Sequence, residues 1–297
     1  MKDVRERDDR NIRLFGAQGQ FRLQLLTVVI VGVGGLGSVL AQQLAFLGVG
    51  HIILVEDEEL SETNRNRYVG ARATDKVPGI VKVAIAERLI KDIDPQIKVT
   101  KITDQLLSNE AFAAIRGADW VFGCLDDDGP RAILNELCVA YDRPYVDLAS
   151  DVPEPGVYGG RVTFVLAEYG CLTCRGVLNP KDVAAYFETD DQKDSKRKIY
   201  GIDADDLDGR GPAVAPINGV VASLAAAEFM AAATGMRPPT PYLEYRGHAS
   251  RVVVSTDQPL PDCPTCVTRN HVTAANVERY LDLTYLQKRR RDQVEKG

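Results

Sequence analysis

Residues 27–37 read TVVIVGVGGLG, and this stretch decides the predicted fold. The unbroken apolar run at 28–31 is typical of a strand buried on both faces of a sheet. Glycines crowd the next six positions, and leucines at 36, 40, 44 and 47 then recur at helical spacing. A strand, a glycine turn and a helix N-terminus form an anion site, because backbone N–H groups and the helix dipole point at the bound group. The residues predicted to contact a nucleotide here are Gly32, Gly34, Gly35, Leu36 and Gly37; the alternative is a tight turn without a ligand.

Composition restricts the class of protein. The 297 residues are 45% hydrophobic and 26% charged, as in soluble globular proteins. We find no apolar run long enough for a membrane span, and the charged N-terminus lacks the apolar core of a signal peptide, so we expect a cytoplasmic protein without a membrane partner. A net charge of −6 argues against a nucleic-acid partner. The basic runs at 196–198 and 288–291 are interpreted as solvated surface.

Strand and helix patterns alternate through the first half of the chain. Strands are predicted at 28–31, 51–55, 97–102, 120–124 and 145–148, and helices at 36–47, 81–93, 111–115 and 130–139. This order predicts an α/β, Rossmann-like, mostly parallel sheet with helices on both faces. In the second half, strands at 160–166, 242–245 and 252–255 predict an antiparallel continuation, with a buried helix at 219–234 and a helix-like segment at 274–286.

We expect one integrated domain with three parts. Residues 1–26 would form an N-terminal arm or helix, 27–170 a nucleotide-binding half, and 171–297 a second half that contains a crossover loop at 175–218. Residues 190–210 are polar and rich in aspartate, so we predict a mobile loop there. Our hypothesis is that this loop orders when a partner protein binds.

Acidic residues follow two predicted strands. Glu56 and Glu58 stand about 20 positions beyond the glycines, where an acid can hold a ribose hydroxyl, and Asp126 follows the fourth strand. These ends should converge on one crevice, although strand-end surface acids are the alternative. The nearby arginines and Lys82 favour ATP over NAD, because polyphosphate charge must be neutralised. A metal-bound carboxylate such as Asp126 would orient the leaving pyrophosphate.

Four of the six cysteines form two C-x-x-C pairs, Cys171/Cys174 and Cys263/Cys266. Two such turns can complete a tetrahedral zinc site with no open position, so the predicted zinc is structural. The alternatives are a redox pair or disulfides, and a cytoplasmic setting disfavours disulfides. Cys124 and Cys138 lie in apolar segments and are interpreted as core residues rather than nucleophiles.

Taken together, these motifs resemble the MoeB/ThiF superfamily of ubiquitin-activating-type adenylating enzymes over nearly the whole chain. The matching stretches are RDDRNIRLFG at 7–16, GVGGLG at 32–37, EDE at 56–58, NRNR at 64–67, IVKV at 80–83, CLDDDGPR at 124–131 and the cysteine pairs. The resemblance implies that the glycine turn, Asn64, Arg67 and Lys82 bind ATP and that Asp126 carries Mg²⁺. It also implies that Glu58 stands near the ribose and phosphates. Arg10 would reach into a partner subunit's site, which implies a homodimer.

The same resemblance implies the reaction. A C-terminal carboxylate, usually that of a ubiquitin-like or sulfur-carrier protein ending in Gly-Gly, attacks the α-phosphate of ATP, giving an acyl-adenylate and pyrophosphate. Two features depart from the family pattern. The family's D-x-D is E-x-E here, which makes the ribose contact less secure, and residues 175–218 contain no cysteine. We therefore predict adenylation without an internal thioester, with direct transfer to a persulfide, an amine or a separate carrier's thiol.

Other functions remain open from the sequence. The acceptor of the adenylyl group could instead be a short peptide or a tRNA base, although the acidic charge disfavours tRNA. A third reading is a non-catalytic scaffold half of a heterodimer, which would have no need of Arg10, Arg67, Lys82 and Asp126 together. A plain NAD dehydrogenase is the last alternative, and nicotinamide binding would reveal it.

Overall fold

The computed structural model describes residues 5–189, 213–255, 258–267 and 272–289. The predicted loop at 190–210 therefore lies outside the described residues. The strands are β1 (Thr27–Val31), β2 (His51–Val55), β3 (Lys98–Ile102), β4 (Trp120–Gly123), β5 (Tyr145–Glu154), β6 (Val157–Val165), β7 (Tyr242–Arg246) and β8 (Arg251–Ser255). The helices are α1 (Asp9–Leu25), α2 (Gly35–Leu47), α3 (Lys82–Ile93), α4 (Asn109–Gly117), α5 (Asp128–Ala140), α6 (Leu172–Arg175), α7 (Pro180–Phe187), α8 (Ala215–Thr234) and α9 (Ala274–Val277).

All eight strands join one sheet in the order β3-β2-β1-β4-β5-β6-β7-β8. The first five are parallel, and β6, β7 and β8 continue the sheet in antiparallel pairing. The mixed α/β sheet and its antiparallel continuation confirm the predicted fold class. The strand order reverses between β1 and β4, and a ligand crevice opens at such a switch point, beyond the carboxyl ends of the strands.

The two faces of the sheet are covered by different helices. Side chains of α1, α2, α3 and α8 pack on one face with Val28, Ile30 and Phe122. Side chains of α4, α5 and α7 pack on the other face with Val29, Val31 and Val121. Alternate residues of β1 thus enter different cores, which explains why its sequence is apolar without interruption.

Several elements differ in extent from the sequence prediction. α1 runs from Asp9 to Leu25 with a break at Gly16, whose φ of 77° is not helical, so the charged arm is largely a helix. α8 begins at Ala215, because Pro216 stands in its first turn, where proline is tolerated. The segment at 274–286 is not one helix, since α9 ends at Val277 and a 3-10 turn covers Glu278–Asp282.

Among the described residues, α8 is the one helix with the length and apolar composition to cross a membrane. Just over half of it, 56%, is buried in the protein. It packs against α2, β5 and β6, which is the position of a core helix.

Candidate functional site

The glycine turn joins β1 to α2 at the switch point of the sheet. Gly32 has a φ of +87°, and a Cβ there would lie 2.7 Å from the carbonyl oxygen of Cys124. A Cβ on Gly37 would collide with the carbonyl oxygen of Gly32. Both glycines are therefore required by the close approach of β1, α2 and the end of β4. A Cβ on Gly34 would meet no atom of the described residues within 4 Å, so the open side of the turn lies at this residue.

Glu56 fixes the shape of this turn. Its carboxylate accepts hydrogen bonds from the backbone N–H of Val33 at 3.1 Å and of Glu58 at 3.0 Å. The side chain is only 8% exposed. The sequence predicts that Glu56 holds a ribose hydroxyl. In the structure its carboxylate contacts the backbone of the glycine turn and of the loop after β2.

Lys82, which is buried, and Glu58, which is half-buried, form an ion pair beside the turn. The backbone N–H of Lys82 also donates to the carbonyl oxygen of Glu58 at 3.0 Å, and the Tyr68 hydroxyl donates to the carbonyl oxygen of Lys82 at 2.7 Å. Lys82 is 4% exposed, so its ammonium group is fixed in position by these contacts. Through Glu58 and Glu56, the lysine is linked to the glycine turn.

Arg67 lies directly against the N-terminus of α2. Its Cγ and Cδ atoms are 3.3 Å from the position of a Cβ on Gly35, and its Nη1 donates to the carbonyl oxygen of Thr63 at 2.6 Å. Asn64 supports the same loop, since its side-chain oxygen accepts the N–H of Ser61 at 3.1 Å. The loop thus places the aliphatic stem of Arg67 at the glycine turn, while the Arg67 guanidinium and the Asn64 carboxamide are both bonded within the loop.

Asp126 lies in the connection between β4 and α5, and its side chain is exposed. Asp127 begins α5 by accepting the N–H of Gly129 at 2.9 Å. Burial raises the pKa of Asp127, with further contributions from the neighbouring carboxylates of Asp126 and Asp128. The chain that leads into these aspartates approaches Gly32 of the glycine turn, so this connection is an acidic border of the crevice, and hard oxygen donors of this type suit Mg²⁺.

A buried network that the sequence analysis did not identify supports this border. Arg131, 4% exposed, donates to Asp147 at 2.7 Å and to the carbonyl oxygen of Leu148 at 3.1 Å, and it also donates to the carbonyl oxygen of Leu125. The hydroxyl of Tyr145 donates to the other oxygen of Asp147 at 2.9 Å. Arg131 thereby fixes the residue that immediately precedes Asp126.

Arg10 is not part of this crevice within one chain. It is exposed on α1, and the next residue, Asn11, donates to the carbonyl oxygen of Phe46 at 3.3 Å. Phe46 lies near the far end of α2, roughly 16 Å along the helix axis from Gly35 at 1.5 Å per residue.

The four paired cysteines form a compact cluster on the α5 side of the sheet. Their sulfur atoms all lie within 4.8 Å of one another, with Cys171 and Cys263 at 3.7 Å and Cys174 and Cys266 at 3.3 Å. Tetrahedral zinc with Zn–S bonds of about 2.3 Å places sulfur atoms about 3.8 Å apart, so the donor set fits this metal. The backbone N–H of Leu172 donates to Asn135 on α5 at 3.0 Å, which connects the cluster to the core.

The remaining cysteines are buried in the two cores. Burial raises the pKa of both the Cys124 and the Cys138 thiol, so neither is an activated thiolate. This agrees with the interpretation of both as core residues.

Comparison with known proteins identifies the class. The model of the ThiF family matches residues 8–265. The chain belongs to the ThiF family. Because its relatives include proteins named as adenylyltransferases, we conclude that it is an adenylating enzyme.

Individual relatives match over different lengths. "Protein HesA, vegetative" of Trichormus variabilis is 29% identical over 269 residues, covering 89% of this chain and 90% of the relative. "Adenylyltransferase and sulfurtransferase MOCS3" of Drosophila sechellia is 35% identical over 132 residues, which are 44% of this chain and 29% of that protein. The E. coli MccB crystal structure with MccA-N7isoASN has a TM-score of 0.70 at 22% identity, covering 89% of this chain and 75% of that one, and shows the shared fold.

Proposed function

We propose that this protein uses ATP to adenylate the C-terminal carboxylate of a small ubiquitin-like or sulfur-carrier protein. The observation that supports this most is the arrangement at the switch point. There Arg67 lies against Gly35 of the open glycine turn, Lys82 is linked to the turn through Glu58 and Glu56, and the exposed Asp126 follows the neighbouring strand β4. A polyphosphate needs backbone N–H groups, cations and a metal-binding acid in one place, and this crevice offers all three.

In the proposed reaction, a carboxylate oxygen of the substrate attacks the α-phosphorus of ATP. A carboxyl oxygen–phosphorus bond forms, the bond from the α-phosphorus to the bridging oxygen breaks, and pyrophosphate leaves with that electron pair. Lys82 and Arg67 would stabilise the charge on the phosphates. Asp126 would hold Mg²⁺, which neutralises phosphate charge when bound.

We further propose that the cysteine cluster binds a structural zinc ion, because all four ligand positions are thiolates and none is open to a substrate. The acyl group would leave the enzyme without an internal thioester, since residues 175–218 contain no cysteine and Cys124 is buried. The position of Arg10, remote from its own glycine turn, supports a homodimer in which it serves the site of a second copy.

ATP–pyrophosphate exchange tests the adenylation directly. Candidate carrier proteins ending in Gly-Gly would be added one at a time, and exchange should appear with one of them. Asp126→Asn should reduce the exchange rate by about 10²–10³-fold, as for the loss of one transition-state charge contact. The matched control is Asp142→Asn, an exposed aspartate in the turn after α5 whose positive φ of 53° asparagine also accepts. Exchange with a short peptide alone would change the proposed substrate, and no exchange with any acceptor would refute adenylation.

A further inference from the structure

Asn218 brings a carboxamide to the glycine turn from the other half of the chain. It lies in the first turn of α8, and its Nδ2 atom occupies the place that a Cβ on Gly35 would take. α8 and α2 begin at the same end of their packed pair, since Gln43 and Ser223, further along each helix, are 3.5 Å apart between Nε2 and Oγ. Two helix N-termini therefore meet at this point of the crevice.

The Asn218 side chain is buried with an oxygen that finds no donor among the described residues. The residue is 2% exposed, and its Oδ1 is a buried oxygen with no hydrogen-bond partner in the described part of the chain. An unsatisfied buried polar group destabilises a fold, so an aliphatic side chain would serve packing better here. Buried asparagines elsewhere are satisfied; Asn135, for example, accepts the N–H of Leu172 at 3.0 Å.

The neighbours of this carboxamide are those of an anion site. The first N–H groups of α2 have no intrahelical acceptor, as at any helix start, and the dipole of α2 favours negative charge at Gly35. The Cγ and Cδ atoms of Arg67 lie 3.3 Å from the same position, so the stem of a cationic side chain also borders it. An amide N–H at this place adds a side-chain donor to the backbone donors of the turn, while the amide oxygen accepts from a hydroxyl or a water.

We propose that Asn218 binds the nucleotide, donating from Nδ2 to a phosphate oxygen at the N-terminus of α2. This inference deepens the proposed function and rests on it, because the ligand is the ATP of the adenylation step. The first turn of α8 would therefore contact the nucleotide directly. The bound phosphate then supplies an acceptor for Nδ2, whereas the unsatisfied Oδ1 would accept from a hydroxyl or a water at the same site.

Titration calorimetry with Mg-ATP on the full chain tests this, together with thermal unfolding in the absence of nucleotide. Asn218→Ala should raise the Kd for ATP about tenfold, the effect of losing one good hydrogen bond to a charged group. Its unfolding temperature without ATP should equal or exceed that of the wild type, because an unsatisfied buried group is removed. Asn218→Asp should raise the Kd by more than about a hundredfold, because a carboxylate would face the phosphates.

Asn135→Ala is the matched control, an equally buried asparagine with a structural partner. It should lower the unfolding temperature and leave the Kd for ATP unchanged. If the wild type binds ATP and Asn218→Ala binds it with the same Kd, the proposed role of Asn218 is refuted. The proposed adenylation is not affected by that result. If the wild type does not bind ATP, the proposed function fails and this inference fails with it. A lower unfolding temperature of Asn218→Ala with unchanged affinity would identify a purely structural residue and also overturn it.

Discussion

The carboxylate of Glu56 accepts the backbone N–H of Val33 at 3.1 Å, and so ties the end of the second strand to the turn after the first. Val33 stands between the two glycines whose positions the packing requires. Through its other oxygen Glu56 also accepts the N–H of Glu58, the partner of Lys82. One buried acid therefore sets the geometry of both the glycine turn and the lysine.

Glu56→Gln should destabilise the protein by about 1–3 kcal/mol, because an amide has one accepting oxygen where the carboxylate offers two, and its NH₂ group would face a backbone donor. The affinity for ATP should fall as well, since the turn loses its support. Urea unfolding and calorimetry measure the two effects. Glu59→Gln, at an exposed position three residues later, should change neither. Wild-type stability of Glu56→Gln would show that the turn does not depend on this carboxylate.

Arg131→Met should destabilise the protein by about 3–5 kcal/mol, because it leaves the Asp147 carboxylate buried and uncompensated. Adding Asp147→Asn in the same chain should recover part of that loss. The measurement is the free energy of unfolding in urea for the single and double variants. Arg116→Met, at a side chain 58% exposed, removes a surface cation and should change the free energy by less than about 1 kcal/mol. Equal effects of the two arginine substitutions would contradict the role of the buried pair.

Cys174→Ser should abolish bound metal, whereas Cys138→Ala, at a buried cysteine outside the cluster, should retain it. Elemental analysis of the purified chain measures this, with about one zinc ion per chain expected for the wild type. Chelation should lower the unfolding temperature of the wild type, because a structural zinc site contributes directly to folding free energy. A wild-type protein that is free of zinc and insensitive to chelators would refute the metal site.

The hydrogen bonds between Arg88 and Asp75 predict that the stability of the fold depends on pH. Hydrogen bonds from Arg88, at 2.7 and 2.8 Å, lower the pKa of Asp75 to about 2 from its model-peptide value of 3.8. Because the folded-state pKa lies below the unfolded one, the ionised carboxylate stabilises the fold at pH above about 4 and loses this effect as the pH falls toward 2. Asp75→Asn should therefore be less stable than the wild type at pH 7, and the difference should shrink below pH 4.

Urea unfolding between pH 7 and pH 3 measures the Asp75 effect. Asp142→Asn, at an exposed aspartate, should differ little from the wild type throughout this range. A stability difference for Asp75→Asn that stays constant across the range would exclude linkage to the Asp75 carboxyl group.

The sequence predicted the parallel sheet well because its strands are short apolar runs, and β2 begins and ends at the predicted residues. The four-cysteine cluster was also predictable, because each C-x-x-C turn already holds two of the sulfur atoms close together and only the two turns have to come into contact. The role of Glu56 could not be predicted, because it depends on how β1 and β2 are aligned at their ends. Arg131 and Asp147 are 16 residues apart on different elements, and although Arg131 ends the CLDDDGPR stretch, no pattern in the sequence pairs it with Asp147. Asn218 reaches Gly35 only through the packing of α8 on α2.

The cysteine cluster also affects the connectivity of the chain. Cys171 lies beside Cys263, Thr173 beside Thr265 and Cys174 beside Cys266, and in every pair the two residues are 92 positions apart. The proposed zinc ion, bound by both C-x-x-C pairs, would close that stretch into a ring that includes α7, α8, β7 and β8. Ring closure removes configurational entropy from the unfolded chain. With zinc bound, the segment carrying Asn218 would be anchored at both ends, and fewer chain conformations would separate it from the glycine turn during folding.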